Sequence, residues 1–179
     1  MNINVTPTIT DDMDAQQEPQ HGIRNVRNAP YFTYRHIVSF EETNLVGNVY
    51  FTRHLSWQGR CREMFLKYHA PTVLSELARD LRLVTLRVSC EYFEELTALD
   101  EIEVQMTLAH MRQHRIGLDF NIYKLHPGRH VCTARGFQEI GCMRATAQGL
   151  VPDRPHESLA EALKPYSSTH NFEERRYAT

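Results

Sequence analysis

One segment in the first half of the chain has the pattern of a helix that is apolar around most of its circumference. At about 100° per residue, its polar positions fall on one narrow stripe, formed by Ser56, Arg60, Glu63 and Lys67. The rest of the circumference is mostly apolar and comes from Leu55, Trp57, Gly59, Cys61, Met64, Phe65, Leu66 and Tyr68. A helix with so wide an apolar arc is buried on more than one side. The remainder of the fold therefore has to surround it.

Runs of alternating apolar and polar residues lie on both sides of this helix. The runs are residues 32–40 before the helix and residues 84–92, 102–108, 116–122 and, less regularly, 130–143 after it. Each run has one apolar face, as expected for an antiparallel sheet that is covered on one side. Short links between the later runs favour antiparallel hairpins. The pattern predicts an α+β fold in which a five-stranded antiparallel sheet wraps around one long central helix.

Composition divides the 179 residues into three parts. Residues 1–29 are polar, rich in Gln and Asp and aperiodic, which predicts a disordered leader. Residues 30–152 contain the sheet, the central helix and a short second helix expected at 71–79. Residues 153–179 contain only a short helix, expected at 157–163, and a polar tail. The middle part is large enough to bury a core of its own.

Several classes of partner are not expected. The net charge of −2 gives no reason to predict nucleic acid binding. No apolar run is long enough to span a bilayer, and the first twenty residues lack the basic-then-apolar order of a signal peptide. The four cysteines show no C-x-x-C spacing, which favours reduced thiols in a cytoplasmic protein. The ten histidines lack the close pairs of a zinc site, and we expect neither a metal nor a cofactor.

Arg62 is the exception on the central helix, because it falls within the buried arc in line with Leu55, Gly59 and Leu66. An unpaired buried charge costs several kcal/mol, so this guanidinium needs a partner or a ligand. A carboxylate from a strand would satisfy it as an ordinary structural ion pair. A ligand oxygen is the alternative, and the segment before the helix favours that alternative.

That segment, Asn44 to Asn48, has the composition of a tight turn. The Asn44 side chain can bond its own backbone, and Gly47 is free to adopt a positive φ. Such a turn would deliver backbone amides and the Asn44 amide to the entrance of the helix. Neutral donors beside a buried cation suit the binding of a carbonyl, an oxyanion or a carboxylate.

The motif N-x-x-G-N-V-Y-F at 44–51, followed by W-x-x-x-x-R-E at 57–63, resembles the opening of the hot-dog-fold thioesterases of the hydroxybenzoyl-CoA class. That class carries an aspartate where this chain has Asn44. An Asn at this place with an Arg eighteen residues later is similar to the thioesterases of enediyne polyketide biosynthesis. The resemblance extends over residues 32–145. It implies a hot-dog fold in which two protomers usually pair to make a continuous sheet.

The resemblance also implies a reaction. Enediyne thioesterases release a polyunsaturated β-keto acyl chain from the acyl carrier protein domain of an iterative polyketide synthase, and decarboxylation follows the hydrolysis. By this resemblance, Asn44 would bind the thioester carbonyl or the water, and Arg62 would hold the β-keto or carboxylate oxygen. Thr85 matches a further pocket position, although an ordinary strand threonine is equally consistent with the pattern. His54 departs from the class, in which a tyrosine is common at this place.

A rigid polyene substrate needs a long apolar slot. The candidate lining residues are Gly47 in the turn, Leu55, Gly59 and Leu66 on the helix, and Val84, Leu86 and Val88 on the following strand. Gly59 has no side chain and would leave room for a flat ligand. Close packing of the helix on the sheet through this glycine is the alternative interpretation.

Two other functions stay open at this point. A conventional acyl-CoA or aryl-CoA thioesterase would use Glu41 or Glu42 as the general base. A non-catalytic hot-dog dimer could bind an acyl ligand as a regulator, although the chain shows no attached DNA-binding segment. A Cys–His dyad is disfavoured, because His54 and Cys61 are separated by about 10 Å along the helix axis.

Two expectations concern assembly. A five-stranded sheet around one helix leaves an open edge, so we expect a homodimer or homotetramer that forms through the strands. Arg112, His114 and Arg115 mark a basic hairpin, which is either a solvated turn or a contact for an acidic carrier protein.

Overall fold

The computed structural model describes residues 30–167. The elements in chain order are β1 (Phe32–Ile37), a 3-10 turn (Phe40–Glu42), α1 (Thr52–His69), α2 (Pro71–Leu77), β2 (Leu81–Tyr92), β3 (Glu101–Arg112), β4 (Arg115–His126), β5 (Arg129–Thr146), β6 (Gly149–Pro152), α3 (Glu157–Leu163) and a final 3-10 turn (Lys164–Tyr166). The expected leader at 1–29 and the end of the polar tail lie outside the described residues. Among residues 30–167, no helix is long and apolar enough to cross a membrane.

The strands form one antiparallel sheet in the order β1-β3-β4-β5-β2, with α1 packed against it. The predicted hot-dog architecture and the antiparallel hairpins are therefore confirmed. The prediction of five strands, with residues 130–143 as the last, was wrong at its end. β5 continues to Thr146, and the short strand β6 pairs with its end. Gly149 begins β6 with a φ of +115°, which allows the chain to reverse after Thr146.

The central helix buries its apolar arc as expected. Trp57, Cys61 and Phe65 are fully buried and contribute to one core with the inward-facing side chains of β3 and β4. Phe32 of β1 meets Phe65 edge-to-face, with ring centroids 5.4 Å apart. Burial of side chains of this size contributes roughly 1.5–3 kcal/mol each to stability. The buried arc also contains two polar residues, His54 and Gln58.

Strand β2 lies at one edge of the sheet and contains an irregularity. Thr85 pairs with Ile140, whereas Val88 pairs with Gln138, because the register shifts between Thr85 and Arg87. Residues that pair directly across an antiparallel ladder point to the same side of the sheet. The bulge therefore places Thr85 and Val88 on the same face, which no regular strand would do.

Two glycines around α1 have opposite surroundings. Gly136 of β5 lies directly under the side-chain amide of Gln58, so that a Cβ at this position would overlap the Gln58 Nε2 atom. Gly59 lies on α1, and a Cβ added there would meet no atom within 4 Å. Close helix–sheet packing thus requires Gly136, whereas Gly59 borders open space.

These surroundings predict stability changes of opposite sign. Gly136→Ala should lower the free energy of unfolding by about 1–3 kcal/mol, because the buried Gln58 side chain has to move. Gly59→Ala should raise it by about 0.5–1 kcal/mol, since alanine favours the helix and meets nothing. Urea unfolding of both variants tests the packing, and equal destabilisation would contradict it.

Candidate active site

Asn44 holds the predicted turn together. Its Oδ1 atom accepts hydrogen bonds from the backbone N–H groups of Val46 at 3.0 Å and Asn48 at 3.2 Å. The Gly47 N–H donates to the Asn44 carbonyl at 3.0 Å, and Gly47 has a φ of +91°. The turn and the role of its glycine are as the sequence indicated.

This geometry restricts what the Asn44 side chain can offer a ligand. Its oxygen already accepts two hydrogen bonds, whereas its Nδ2 group forms none within residues 30–167. An amide nitrogen donates hydrogen bonds and does not accept protons. The exposed Asn44 side chain is therefore suited to bind an oxygen atom of a ligand and cannot act as a general base.

Within residues 30–167, the hydrogen bonds of the Arg62 side chain go only to neutral groups. Its Nη1 atom donates to Gln138 Oε1 at 3.1 Å and, at 3.4 Å, to Thr85 Oγ1. No carboxylate forms an ion pair with Arg62 in the described part of the chain. Burial lowers the pKa of the guanidinium, and the charge of neighbouring Glu63 partly offsets this effect. The structural ion pair considered from the sequence is absent here, and the cation remains available to an anionic ligand.

Glu42, one of the two candidate bases, is held in a structural network. Its carboxylate accepts hydrogen bonds from Trp57 Nε1 at 2.8 Å, His36 Nε2 at 2.7 Å and the Ser39 backbone N–H at 2.9 Å. Burial raises the pKa of Glu42, but the bonds from Ser39, His36 and Trp57 outweigh burial and lower the pKa to about 2. A carboxylate so strongly stabilised as an anion is a poor proton acceptor at neutral pH.

Glu41 is exposed, and its backbone carbonyl accepts a hydrogen bond from Arg53 Nη2 at 3.0 Å. Neither glutamate forms a hydrogen bond with Asn44 or Arg62 in the described part of the chain. The dyad of His54 and Cys61 is likewise not formed. The Cys61 thiol is buried against the Val104 carbonyl of β3, and burial raises its pKa.

His54 is buried without a hydrogen bond. The residue is only 4% exposed, and within residues 30–167 neither ring nitrogen has a partner of proper geometry. The ring lies between Trp57 and Tyr92, with centroid distances of 4.9 and 5.0 Å. Burial lowers the pKa of His54 to about 4, although the nearby Phe51 carbonyl opposes the shift. That carbonyl already accepts a hydrogen bond from the Tyr92 hydroxyl at 3.0 Å.

A polar column on α1, formed by His54, Gln58 and Arg62, runs along β2. His54 contacts the Tyr92 ring, Gln58 Nε2 donates to the Ser89 carbonyl at 3.4 Å, and Arg62 contacts Thr85. Gln58 is fully buried, and its Oε1 atom has no partner among the described residues. Sequence reasoning missed Gln58, although its spacing of four residues from both His54 and Arg62 was a usable signal.

The other predicted lining residues are only partly brought together. Leu55 is half-buried near open Gly59, whereas Leu66 is 5% exposed and belongs to the core. The expected strand wall of Val84, Leu86 and Val88 is divided by the bulge. Leu86 packs over Gly141, and Val88 faces the side of Gln138 and Arg62.

Within residues 30–167, no contact joins Asn44 to Arg62. Arg62 lies ten residues into α1, about 15 Å from its first residue, and Asn44 precedes that residue. The described contacts place the Asn44 turn beside residues 92–97 instead. Asn48 bridges to Thr97, and the Val49 N–H donates to the Leu96 carbonyl at 2.8 Å. Among residues 30–167, no three His, Cys, Asp or Glu side chains are grouped as metal ligands.

Comparison with known proteins identifies relatives of this fold and motif. The family model of the thioesterase-like superfamily matches residues 38–163. The structure of the dynemicin thioesterase is 43% identical, covers 78% of this chain and 99% of its own, and has a TM-score of 0.76. This likeness confirms the resemblance to the enediyne thioesterases.

More distant solved structures share the fold. A 1,4-dihydroxy-2-naphthoyl-CoA thioesterase from Synechocystis is 21% identical, with coverage of 75% of this chain and 96% of its own and a TM-score of 0.64. A 4-hydroxybenzoyl-CoA thioesterase variant in complex with 4-hydroxybenzoyl-CoA is 12% identical, with coverage of 74% and 98% and a TM-score of 0.64. No curated protein sequence matches the chain.

The buried imidazole predicts an acid-sensitive stability. The pKa of His54 is lower in the folded chain, about 4, than its ordinary value of 6.5, so the unfolded chain binds the proton more readily. Stability is therefore lost as the pH falls from 6.5 towards 4, by about 2 kcal/mol between pH 7 and pH 5. The Glu42 carboxylate acts in a lower window, between 4.5 and about 2.

Urea unfolding at pH 7 and pH 5 tests this prediction. His54→Phe should remove most of the loss between the two values, whereas the same measurement on His130→Gln, at an exposed position, should reproduce the wild-type loss. A His54→Phe variant that retains the full loss would show that another group causes it.

Proposed function

Because the chain belongs to the thioesterase-like superfamily and is a thioester hydrolase, we propose that it releases a polyunsaturated β-keto acyl chain from the acyl carrier protein domain of an iterative enediyne polyketide synthase. Hydrolysis of the thioester is followed by decarboxylation. The observation that carries this proposal is the Asn44 side chain, whose oxygen is occupied by the turn and whose Nδ2 group is left as a donor. The 43% identical dynemicin thioesterase, whose crystal structures describe polyene binding, supports the same substrate class.

The first step requires stabilisation of negative charge on the thioester oxygen. Water attacks the carbonyl carbon, the charge develops on the oxygen, and the C–S bond breaks to release the thiol and the β-keto acid. Asn44 Nδ2 donates to this oxygen as the charge develops. One fixed donor of this kind contributes about 3–4 kcal/mol to the transition state. The electron-withdrawing β-keto group further activates the carbonyl, so a protein carboxylate is not required as base.

The second step requires a cation near the β-keto acid. The bond between the α-carbon and the carboxylate breaks, CO₂ leaves, and the electron pair moves onto the β-keto oxygen as an enolate. Protonation of the α-carbon then gives a methyl ketone. Arg62 is held between Gln138 and Thr85 without a carboxylate partner in residues 30–167. Its charge can therefore hold and polarise the β-keto oxygen while the thioester is hydrolysed, and stabilise the enolate oxygen in the second step.

A conventional acyl-CoA or aryl-CoA thioesterase is the second candidate, and the contacts of its proposed bases disfavour it. Glu42 is saturated by hydrogen bonds from Ser39, His36 and Trp57. Glu41 is exposed beside the turn. Only Glu41 is therefore available as a base, and a single variant can test it. Four free cysteines suit a cytoplasmic location, which we include in the proposal.

Substitutions separate the two candidates. Asn44→Ala and Arg62→Ala should each lower kcat/KM for the carrier-bound β-keto substrate by about 100-fold or more, since each removes a group that stabilises developing charge. Glu41→Gln should leave kcat/KM nearly unchanged. Glu42→Gln should lower the free energy of unfolding by about 1–3 kcal/mol while the folded fraction keeps its turnover. A large loss with Glu41→Gln and a small one with Asn44→Ala would favour the conventional enzyme.

We further propose that the protein is a homodimer, or a tetramer built from it, that pairs through β2. The outer side of β2 has no strand neighbour in the described sheet. Large apolar side chains remain exposed along this strand and in the Asn44 turn or directly after them, namely Leu45, Val46, Tyr50, Phe51, Leu86, Val88, Tyr92 and Phe93. A long edge strand with exposed apolar side chains favours association.

A twofold pairing of β2 with its copy would also complete the site. In an antiparallel pair centred near residues 88–89, Thr85 of one protomer lies across from Tyr92 of the other. Thr85 accepts a hydrogen bond from Arg62 and therefore lies beside it. Tyr92 lies at the end of β2, where its hydroxyl donates to the Phe51 carbonyl close to the Asn44 turn. The pairing therefore brings Asn44 of one protomer towards Arg62 of its partner.

Mixed dimers test this arrangement directly. Asn44→Ala and Arg62→Ala protomers should each be nearly inactive alone. If each site uses one residue from each protomer, random mixing should restore about a quarter of wild-type activity, because half of the dimers are mixed and each contains one intact site. Light scattering shows whether the mixed sample contains dimers. If it does and no activity is recovered, both residues of a site belong to one protomer.

A further inference from the structure

Arginine side chains are concentrated at one end of the sheet, where β3 turns into β4 and β5 turns into β6. They are Arg79, Arg82, Arg112, Arg115, Arg144 and Arg154. Arg79, Arg115 and Arg144 form ion pairs with carboxylates, at 2.7–3.2 Å. The other three form no ion pair with a carboxylate within residues 30–167.

Arg82 and the two exposed arginines differ in their contacts. Arg82 donates only to backbone carbonyls, including those of Leu81 at 2.7 Å and Arg79 at 3.1 Å. The guanidinium groups of Arg112 and Arg154 are exposed and form no hydrogen bond within the described chain. These groups give this end of the sheet, which we call the basic end, an uncompensated positive charge.

The opposite end of the sheet carries more carboxylates than cations. The end of β2, the start of β3 and the segment between them contain Glu91, Glu94, Glu95, Asp100 and Glu101. Lys124, Arg129 and Arg135 lie at the same end, and Lys124 pairs with Asp100 at 2.7 Å. The two ends of the sheet therefore differ in the sign of their excess charge, although the net charge of the whole chain is only −2. Such a separation orients an approaching charged partner.

The basic end also contains an open depression of about 750 Å³. Its walls come from the β3–β4 hairpin, at Met111, Gln113 and His114, and from residues 152–155 and Ala160. The depression thus combines apolar surface with flanking guanidinium groups. A partner that presents a projecting element with carboxylates around it would match both features.

The basic end lies close to the Arg62 site along the sheet. Gln138, which contacts Arg62, pairs with Leu118, and Leu118 is three residues from Arg115 at the hairpin. Three residues of a strand span about 10 Å. The β4–β5 turn at the other end lies eight residues from Leu118, or about 27 Å. A substrate carried on a flexible arm would reach Arg62 from the basic end over the shorter path.

We propose that the basic end is the docking surface for the carrier domain, with Arg112 and Arg154 contacting carboxylates on the surface of that domain. The inference rests on the proposed function, because it assumes that the acyl chain arrives on a carrier protein. Exposed charges of this kind act on the encounter and on salt dependence more than on the chemical step. Docking therefore contributes to KM and leaves kcat for the bound thioester unchanged.

Two substrates and two variants test the docking surface. The probes are a 3-oxooctanoyl group on the holo carrier domain and the same group on N-acetylcysteamine. In the double variant Arg112→Glu with Arg154→Glu, KM for the carrier-bound probe should rise at least about tenfold, and its dependence on salt should weaken. Kinetics with the small thioester should be unchanged, which also reports correct folding. Arg129→Glu, at the opposite hairpin, is the matched charge-reversal control.

The outcomes distinguish this proposal from the proposed function. One outcome would overturn the docking surface alone. In it, the wild-type protein turns over the carrier-bound probe, and the KM for that probe is the same in the double variant as in Arg129→Glu. A wild-type protein that hydrolyses the small thioester and ignores the carrier-bound probe would overturn both. If the double variant loses activity on both probes, the variant Arg112→Gln with Arg154→Gln replaces it, because glutamine removes the charges without reversing them. An unchanged KM for the carrier-bound probe in this second variant would overturn the docking surface.

Discussion

The buried carboxylate of Glu42 fixes the position of α1 and of the turn before it. It receives hydrogen bonds from three parts of the chain, namely His36 at the end of β1, the Ser39 backbone and Trp57 on α1. Removing a carboxylate from water costs several kcal/mol, and these charge-assisted bonds offset that cost. Because Glu42 is two residues before Asn44, the same network determines where the Asn44 turn begins. A residue that looked like a general base in the sequence is thus a structural anchor for the site.

The polar column on α1 gives the site its second constraint. A buried helix face normally packs with apolar side chains, yet this one places His54, Gln58 and Arg62 against β2. Buried polar groups without partners are costly and rare. Among the described residues of this column, only the His54 ring nitrogens and the Gln58 Oε1 atom lack a partner, whereas Arg62 contacts Gln138 and Thr85. The proposed function would account for this cost, because the seam would then bind polar atoms of a ligand.

Local patterns in the sequence were sufficient for the main architecture. The wide apolar arc around Trp57 and Phe65 required a surrounding sheet, and the alternating runs supplied it. The Asn44 turn was also predictable, because its hydrogen bonds join residues only two to four apart. The site was less predictable. The Glu42 carboxylate accepts hydrogen bonds from residues as far as fifteen positions away in the sequence. The Gln58 side chain fits on α1 only because Gly136, in a distant strand, leaves space for it. The bulge after Thr85 changes which side chains of β2 share a face, and it leaves no mark on the alternation of Val84, Leu86 and Val88.

The Asn44 turn has a consequence for how enzymes of this fold diversify. Only one atom of the side chain, Oδ1, holds the turn, and an aspartate would present the same oxygen to the same two backbone amides. Exchange of Asn for Asp therefore alters a single outward-facing atom, from an amide nitrogen to a carboxylate oxygen, and leaves the backbone as it was. A lineage could cross between catalysis by a proton-accepting carboxylate and catalysis by a hydrogen-bond donor in one mutational step, without first passing through a misfolded intermediate sequence.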